Sequence, residues 1–229
     1  MRISSSVGSW RSWWQAASAE FKVLTVEELA KAAQKREQRR LSERTRAGDA
    51  KFFGIGIESH RVIFVVDTSG SMLESLYGHQ YGKRGASRID VAKQELTQSI
   101  KSLEEGSLFN VIVFSSGVDR WIRSGIASSS EATRQAALTW IERLGAAGAT
   151  NLYDAIKLAF DDKDVDTIVV LSDGEPTSGE IVDPHRIREE VAFWNKHRRV
   201  KIHTVAIGGN LEVLEWLSAD SGGDHVRMR

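Results

Sequence analysis

Cysteine is absent from the 229-residue sequence, so the chain can form no disulfide, no thiolate metal site and no cysteine nucleophile. Long apolar runs are missing as well, because no stretch approaches the roughly 20 consecutive apolar residues that a membrane-spanning helix needs. The sequence also lacks a net charge, since 31 lysines and arginines balance 31 aspartates and glutamates. This balance gives no general indication of a nucleic acid, a membrane surface or an acidic substrate as the partner.

The opening residues, MRISSSVGSWRSWWQ, lack the continuous apolar segment of a secretory signal. We therefore expect a soluble chain that is not exported, and a cytoplasmic one if Met1 is the native start. Hydrophobic residues make up 41% of the sequence and charged residues 27%, which is ordinary for a globular protein with a core. The length favours one large domain with an appendage.

The first 50 residues differ in character from the remainder. Trp10, Trp13 and Trp14 are spaced as on one face of a helix, and a second helical pattern follows in residues 25–48. That second pattern carries a basic cluster: Lys35, Arg36, Arg39 and Arg40. The cluster could bind nucleic acid, but glutamates interrupt it, and a solvated helix face is the simpler interpretation. We expect residues 1–50 to form a helical extension or linker and residues 51–229 to form the main domain.

From residue 51 onward, apolar β-branched segments alternate with helical patterns. The predicted strands cover residues 61–66, 108–115, 166–172 and 201–208, with a short antiparallel strand at 119–124 and an edge strand at 225–228. The predicted helices cover residues 88–104, 130–144, 152–161, 184–197 and 210–220. Strands this uniformly apolar are buried on both faces. The predicted fold class is therefore α/β, with a doubly wound, mostly parallel central sheet flanked by helices.

Polar side chains stand where the predicted strands end. Asp67, Ser69 and Ser71 follow the first strand, Asp173 follows the strand at 166–172, and Thr150 precedes a helix. Since ligands of open parallel sheets bind beyond the carboxyl ends of the strands, we expect these residues to meet at one edge. Two carboxylates and three hydroxyls form an oxygen-only set, which suits Mg²⁺, Mn²⁺ or Ca²⁺ and disfavours zinc. Hydroxyl ligands are neutral and leave much of the charge of a divalent ion uncompensated. Such an ion attracts an anionic ligand from outside the site.

This constellation resembles the metal-ion-dependent adhesion site of the von Willebrand factor A domain family. The family pattern is Asp-x-Ser-x-Ser in one loop, a Thr in a second loop and an Asp in a third, and the resemblance covers residues 58–229. It implies a Rossmann-like fold in which three hydroxyl side chains contact the metal: Ser69, Ser71 and Thr150. Asp67 and Asp173 would mostly hold the water ligands of the ion. The resemblance also implies a protein partner whose Asp or Glu completes the coordination.

The opening segment carries a second, shorter resemblance. Its Trp-x-x-Trp-Trp pattern resembles the Trp-rich linker of bacterial multidomain proteins in which helical repeats precede a von Willebrand A domain. This resemblance implies a bacterial protein in which residues 1–50 join the main domain to a helical-repeat region.

Catalysis is not expected. Ser69 occupies the position at which an aspartyl phosphatase would carry its second carboxylate, and neither Ser69 nor Ser71 lies in the Gly-x-Ser-x-Gly frame of a serine hydrolase. We expect a divalent-metal-dependent protein-binding domain, for adhesion or as a scaffold, with no small-molecule substrate. Two alternatives stay open: an accessory subunit of an ATPase or chelatase assembly, and a nucleic-acid-associated scaffold that rests on the arginine-rich helix alone.

Residues 72–87, MLESLYGHQYGKRGAS, form a long connection between the predicted metal loop and the first helix. Gly78 and Gly82 disfavour a regular helix here, and we expect the segment to overhang the metal because it leaves the strand beside the ion. Its tyrosines and cations suit an acidic, partly aromatic partner segment. The predicted partner-binding residues are Tyr77, Tyr81, Lys83 and Arg84. The alternative interpretation is a mobile surface loop without a role in binding.

Overall fold

The residues described by the computed structural model of the chain are 15, 25, 31, 50–76, 79–80, 83–84, 86–123 and 125–228. The chain divides into two units, residues 1–42 and residues 43–229, and the description below concerns the second. The predicted tryptophan face and the basic cluster lie outside the described residues, and the boundary near residue 50 stays a prediction. Within the described part, no helix is both long enough and apolar enough to cross a membrane.

Between residues 50 and 228, the described part of the chain forms eleven strands and five α-helices. The strands are β1 (Lys51–Phe52), β2 (Ile55–Gly56), β3 (Arg61–Asp67), β4 (His79–Gln80), β5 (Lys83–Arg84), β6 (Leu108–Phe114), β7 (Val118–Arg120), β8 (Ala127–Ser128), β9 (Thr167–Ser172), β10 (Lys201–Ile207) and β11 (His225–Met228). The helices are α1 (Arg88–Ser102), α2 (Glu131–Glu142), α3 (Leu152–Phe160), α4 (Pro184–Asn195) and α5 (Glu212–Ser221), and a short 3₁₀-helix covers Gly70–Leu73.

The central sheet has seven strands, and its order identifies a switch point at β3. Five parallel strands lie in the order β11, β10, β9, β3, β6, and β7 and β8 pair antiparallel with β6. The strand that follows β3 on one side in the sheet is β6. The later strands β9, β10 and β11 lie on the other side of β3, so the strand order reverses there. The predicted fold class is confirmed. In such a sheet the ligand-binding crevice lies beyond the carboxyl ends of the strands at the switch point.

Alternate residues of β3 enter two separate cores. Val62, Phe64 and Val66 belong to a cluster with apolar residues of α1 and α2. Ile63 and Val65 belong to a second cluster with residues of α3, α4 and α5. Because successive side chains of a strand point to opposite faces, a sheet covered on both faces needs apolar residues at every position.

The segment from Lys51 to Gly56 forms a hairpin that the sequence patterns did not predict. Phe52 pairs with Ile55, and the two residues between them, Phe53 and Gly54, have φ values of 50° and 82°. Positive φ at both central residues is typical of a tight hairpin turn, and glycine adopts it freely. Phe52 is fully buried in the core shared with α1 and α2. The core of the domain therefore begins well before Arg61.

The antiparallel strand predicted at residues 119–124 is shorter in the structure, where β7 ends at Arg120. The buried side chain of Asn110 explains the difference. Its Nδ2 donates hydrogen bonds to the carbonyl oxygens of Ile122 and Gly125, both at 2.9 Å, and its Oδ1 accepts one from the Ile122 amide at 3.1 Å. These side-chain bonds take the place of strand pairing, and the chain rejoins β6 through β8.

Helix starts close to the predicted site are set by capping side chains. Ser87 precedes α1 and accepts from the Asp90 amide, while the Asp90 carboxylate accepts from the Ser87 amide. Asn151 precedes α3 and accepts from the Asp154 amide. Such caps satisfy amides that have no partner within the helix, which fixes where each helix begins. They also hold the neighbouring residues Arg88 and Thr150 in place.

Candidate metal centre

Three loops meet at the carboxyl edge of the sheet, and backbone hydrogen bonds join the first to the second. The first loop follows β3, and the second precedes α3. The Gly70 amide donates to the Gly148 carbonyl at 3.0 Å, and the Ala147 amide donates to the Thr68 carbonyl at 2.9 Å. Gly148 has a φ of 86°, and a Cβ there would lie 2.6 Å from Ser116 Oγ, so only glycine fits this crossing.

The third loop, which follows β9, is joined to the second in the same way. The Thr177 amide donates to the Thr150 carbonyl at 2.9 Å. In return, the Thr177 hydroxyl oxygen accepts from the Thr150 amide at 2.9 Å. Thr150 is thereby fixed by reciprocal bonds, and only 5% of its surface is exposed. The three loops form a continuous hydrogen-bonded rim.

Asp67 is completely buried at the end of β3. Its Oδ1 accepts from the Ser69 amide at 2.7 Å, and its Oδ2 accepts from the Ser172 hydroxyl. Burial removes water from the carboxylate and raises the pKa of Asp67 to about 6, although these hydrogen bonds favour the charged form and act in the opposite direction. The carboxylate is therefore held in one orientation at an appreciable electrostatic cost.

Oxygen atoms of the first and third loops form a chain at the same edge of the sheet as Asp67. Ser69 Oγ and Ser71 Oγ lie 3.1 Å apart, and Ser71 Oγ donates to Asp173 Oδ1 at 2.7 Å. Two ligands at right angles on an ion with metal–oxygen bonds of 2.0–2.1 Å would be about 3 Å apart. The hydroxyl spacing and the oxygen-only donor set therefore fit a magnesium-sized cation.

Thr150 completes this group from the second loop. A Cβ built on Gly174 would lie 3.8 Å from Thr150 Oγ1 and 3.9 Å from Ser71 Oγ. Both hydroxyls are therefore close to Gly174, in the loop that follows β9. Within the described residues, no group of three or more His, Cys, Asp and Glu side chains is placed to hold a metal ion. The predicted site contains only two carboxylates, so a metal ion bound there would depend on the hydroxyls.

The structure thus brings all five residues of the predicted metal site to one edge of the sheet: Asp67, Ser69, Ser71, Thr150 and Asp173. Their role as metal ligands stays a prediction. Tyr77 and Tyr81, two of the predicted partner-binding residues, lie outside the described residues. Lys83 and Arg84 form β5, which pairs antiparallel with β4.

The long connection after the first loop is closed at its base by strand-like pairing. Ser75 forms an isolated antiparallel bridge with Ser87. The Leu76 amide donates to the Ala86 carbonyl at 3.2 Å, and the Arg88 amide donates to the Glu74 carbonyl at 2.9 Å. We call residues 74–88 the hairpin excursion, because its two ends leave and rejoin the domain side by side.

Sequence patterns missed three residues of the site. Ser172 donates to Asp67, Thr177 holds Thr150, and Arg88 pairs with Asp173 through its Nη1 at 2.8 Å from Oδ2. Ser172 could have been found, since a hydroxyl at the end of a buried strand needs a partner. Arg88 begins a helix many residues away from Asp173, and no local pattern relates the two.

The family model for the von Willebrand factor type A domain matches residues 60–226 of the chain. Inter alpha-trypsin inhibitor heavy chain 4 of Mus musculus is 28% identical over 182 residues, which cover 72% of this chain and 17% of that protein. The von Willebrand factor A domain-containing protein 3A of Homo sapiens is 27% identical over 182 residues, which cover 77% of this chain and 14% of that protein. The chain therefore spans only a small part of the length of these relatives.

Two solved structures have a similar fold. A von Willebrand factor type A protein from Catenulispora acidiphila superposes with a TM-score of 0.60 at 20% identity, covering 76% of this chain and 40% of that one. The manganese-loaded TRAP protein of Plasmodium vivax gives a TM-score of 0.50 at 18% identity, covering 69% of this chain and 61% of that one. At these identities the similarity concerns the fold alone.

Proposed function

Because the chain belongs to the von Willebrand factor type A domain family, we propose that it is a divalent-metal-dependent protein-binding domain, serving in adhesion or as a scaffold. The observation that carries this proposal is the position of Ser71 Oγ at the switch-point edge of the sheet, 3.1 Å from Ser69 Oγ and 2.7 Å from Asp173 Oδ1. Mg²⁺ is the cation that this spacing favours, and Mn²⁺ and Ca²⁺ share its preference for oxygen ligands.

Each residue of the site has a distinct task in this proposal. Ser69, Ser71 and Thr150 offer neutral hydroxyl oxygens to the ion, and Asp67 and Asp173 supply negative charge beside it. When bound, the cation would attract the carboxylate of a partner's Asp or Glu. The hydrogen bonds from Ser172 and from the Ser69 amide keep the Asp67 carboxylate turned toward the first loop. The solved structure of the TRAP protein is manganese-loaded, which supports divalent-metal binding by a domain of this fold.

We also propose that this edge binds rather than catalyses. The Ser71 hydroxyl donates a hydrogen bond to Asp173 Oδ1, and the other oxygen of that carboxylate accepts a hydrogen bond from Arg88. A carboxylate engaged on both oxygens is a poor general base for activating a serine, because catalysis needs it free to take up a proton. The same contacts suit a carboxylate whose task is to hold charge in place.

Metal binding is tested by titrating Mn²⁺ or Mg²⁺ into the protein in a calorimeter. Replacing both Ser69 and Ser71 by alanine should abolish the binding signal, and Thr150→Ala should weaken binding at least several-fold. Thr139→Ala is the matched control, because Thr139 is exposed on α2 and its hydroxyl bonds only to the Gln135 carbonyl. Equal affinity in the wild type and the double serine variant would rule out this site.

Partner capture is tested separately with immobilised peptides that contain a single glutamate. Binding should require the metal, disappear in the chelator EDTA and be lost when the glutamate is replaced by glutamine. Retention of the glutamine peptide with the same affinity would show that the bound metal does not recognise a carboxylate.

A further inference from the structure

Arg88 brings a third charged side chain to the candidate metal centre. It is the first residue of α1, and its Nη1 lies 2.8 Å from Asp173 Oδ2. The same nitrogen lies 3.4 Å from the carbonyl oxygen of Ser71, and Nη2 lies 3.0 Å from Glu74 Oε2. One guanidinium therefore contacts the first loop, the third loop and the start of the hairpin excursion.

The two ion pairs of Arg88 lie in different environments. The Asp173 side chain is completely buried, the Arg88 side chain is 14% exposed, and the Glu74 side chain is 65% exposed. Solvent screens an exposed pair, so the contact with Glu74 contributes little, whereas a buried charge such as that of Asp173 needs a partner. The compensating charge of Arg88 acts mainly on Asp173.

The position of Arg88 is enforced by the end of β10. A Cβ on Gly208, which has a φ of 79°, would lie 2.6 Å from Nε and from Nη2 of Arg88. The guanidinium thus packs directly on the backbone of Gly208 and occupies the space that a side chain there would need. Its Nε is buried and has no hydrogen-bond partner in the described part of the molecule. Leaving a buried donor unbonded is unfavourable, and the pairing with Asp173 must offset this cost.

We propose that Arg88 neutralises Asp173 and thereby makes the cation of this site depend on an outside carboxylate. This inference rests on the proposed function. Asp67 and Asp173 together carry two negative charges, and Arg88 returns one positive charge. With a divalent ion bound, the two carboxylates and the guanidinium leave a net charge of plus one. Without Arg88, the two carboxylates alone would balance the charge of the ion. The carboxylate of a partner restores neutrality, so Arg88 is a positioning residue that sets how strongly metal and partner depend on each other.

The consequence is a coupling between two binding events. A carboxylate ligand should raise the affinity for the metal, and by linkage the metal should raise the affinity for the carboxylate by the same factor. Removing the Arg88 charge should strengthen metal binding in the absence of a carboxylate and reduce this coupling. A unit charge a few ångströms away in a partly buried site changes an affinity by about tenfold after screening.

The experiment compares Mn²⁺ affinity with and without acetate, a simple carboxylate probe, in the wild type and in two neutral variants. Arg88→Gln should bind Mn²⁺ alone about tenfold more tightly than the wild type, and acetate should enhance its affinity far less. Glu74→Gln is the matched control: it removes the exposed partner of Arg88, keeps the pair with Asp173, and should behave as the wild type. Circular dichroism checks that each variant is folded.

Arg88→Lys separates charge from geometry, since lysine keeps the positive charge and loses the planar fork of donors. It should retain most of the coupling seen in the wild type. The inference is overturned if Arg88→Gln binds Mn²⁺ more weakly than the wild type, if its coupling to acetate is unchanged, or if Arg88→Lys loses the coupling. A wild-type protein that binds no Mn²⁺ would instead overturn the proposed function, and this inference with it.

Discussion

The hydroxyl of Ser172 donates a hydrogen bond to the buried carboxylate of Asp67, with Oγ 2.5 Å from Oδ2. Removing this donor by Ser172→Ala should raise the pKa of Asp67 further, because the bond favours the charged form. A hydrogen bond to a charged group is worth about 1.5–3 kcal/mol, so the pH midpoint of Mn²⁺ binding should move upward by roughly one to two units.

Mn²⁺ titrations at a series of pH values measure this shift. Ser218→Ala is the control, because Ser218 is also buried but donates to the Glu215 carbonyl on α5. An unchanged midpoint in Ser172→Ala would show that this bond does not stabilise the charged Asp67.

Burial of Asp67 should make the metal-free protein less stable as the pH rises. Its pKa is about 6 in the folded protein and 3.8 in an unfolded chain, so between these pH values the folded state holds a proton that the unfolded state has lost. The stability associated with this group is present below about pH 3.8 and is lost as the pH rises to about 6.

Asp67→Asn removes that dependence. In EDTA at about pH 7.5 the variant should be more stable to urea unfolding than the wild type, by up to about 3 kcal/mol, and the difference should vanish near pH 4. The same variant should bind Mn²⁺ weakly or not at all. A variant that is less stable than the wild type at pH 7.5 would contradict this account.

Phe52 should be essential to the core although it lies outside the central sheet. Its ring is fully buried, 4.9 Å from the Phe53 ring and 5.7 Å from the Phe64 ring. Phe52→Ala should lower the free energy of unfolding by about 3–5 kcal/mol through lost burial and a cavity. Phe193→Ala is the control, since 75% of Phe193 is exposed, and it should change the stability by less than about 0.5 kcal/mol. Urea denaturation gives both values.

The start of the folded domain can be located with two truncated chains. A chain of residues 50–229 keeps the hairpin of β1 and β2 with its buried residues and should unfold cooperatively with nearly wild-type stability. A chain of residues 60–229 loses Phe52, Ile55 and Ile57 from the core and should be strongly destabilised or aggregate. Thermal melts followed by circular dichroism distinguish them, and an unfolded 50–229 chain would show that earlier residues belong to the core.

The hairpin excursion should contribute to partner choice and leave metal affinity unchanged. Replacing all four predicted partner-binding residues by alanine should weaken capture of the native partner, because aromatic and cationic contacts to an acidic segment are lost. The variant carries alanine at Tyr77, Tyr81, Lys83 and Arg84. Mn²⁺ calorimetry and pull-downs with both proteins measure the two properties, and undiminished partner capture would place specificity in the loop after Asp173.

The sheet was predictable because its strands are buried on both faces. The five residues from Val62 to Val66 are all apolar and buried, as a strand that is covered on both faces requires. The strand at Val118–Arg120 was predicted too long, since its end depends on the side chain of Asn110, which lies in another strand. The hairpin at Lys51–Gly56 was missed because two-residue strands carry too few positions to show a period.

The sequence placed the predicted metal-site residues at one edge because most of them follow strands that end there. Ser69 and Ser71 are close in the chain, and their spacing alone suggests a common direction. Arg88 and Asp173 lie 85 residues apart, and their pairing follows from how Arg88, the first residue of α1, packs on the backbone of Gly208. Charge compensation of this kind arises from tertiary packing, which the local sequence does not encode.

The paired base of the hairpin excursion allows the residues between its ends to change without changing the candidate metal centre. Since Ser75 bridges Ser87 and the Leu76 amide bonds to the Ala86 carbonyl, the ends of the excursion stay together whatever lies between them. Lengthening a closed loop costs little, about 0.6 kcal/mol for each doubling. Residues added or exchanged at the tip therefore leave Arg88 and the first loop undisturbed. The domain can acquire a new sequence at this point, by natural drift or by grafting, while its candidate metal centre is inherited intact.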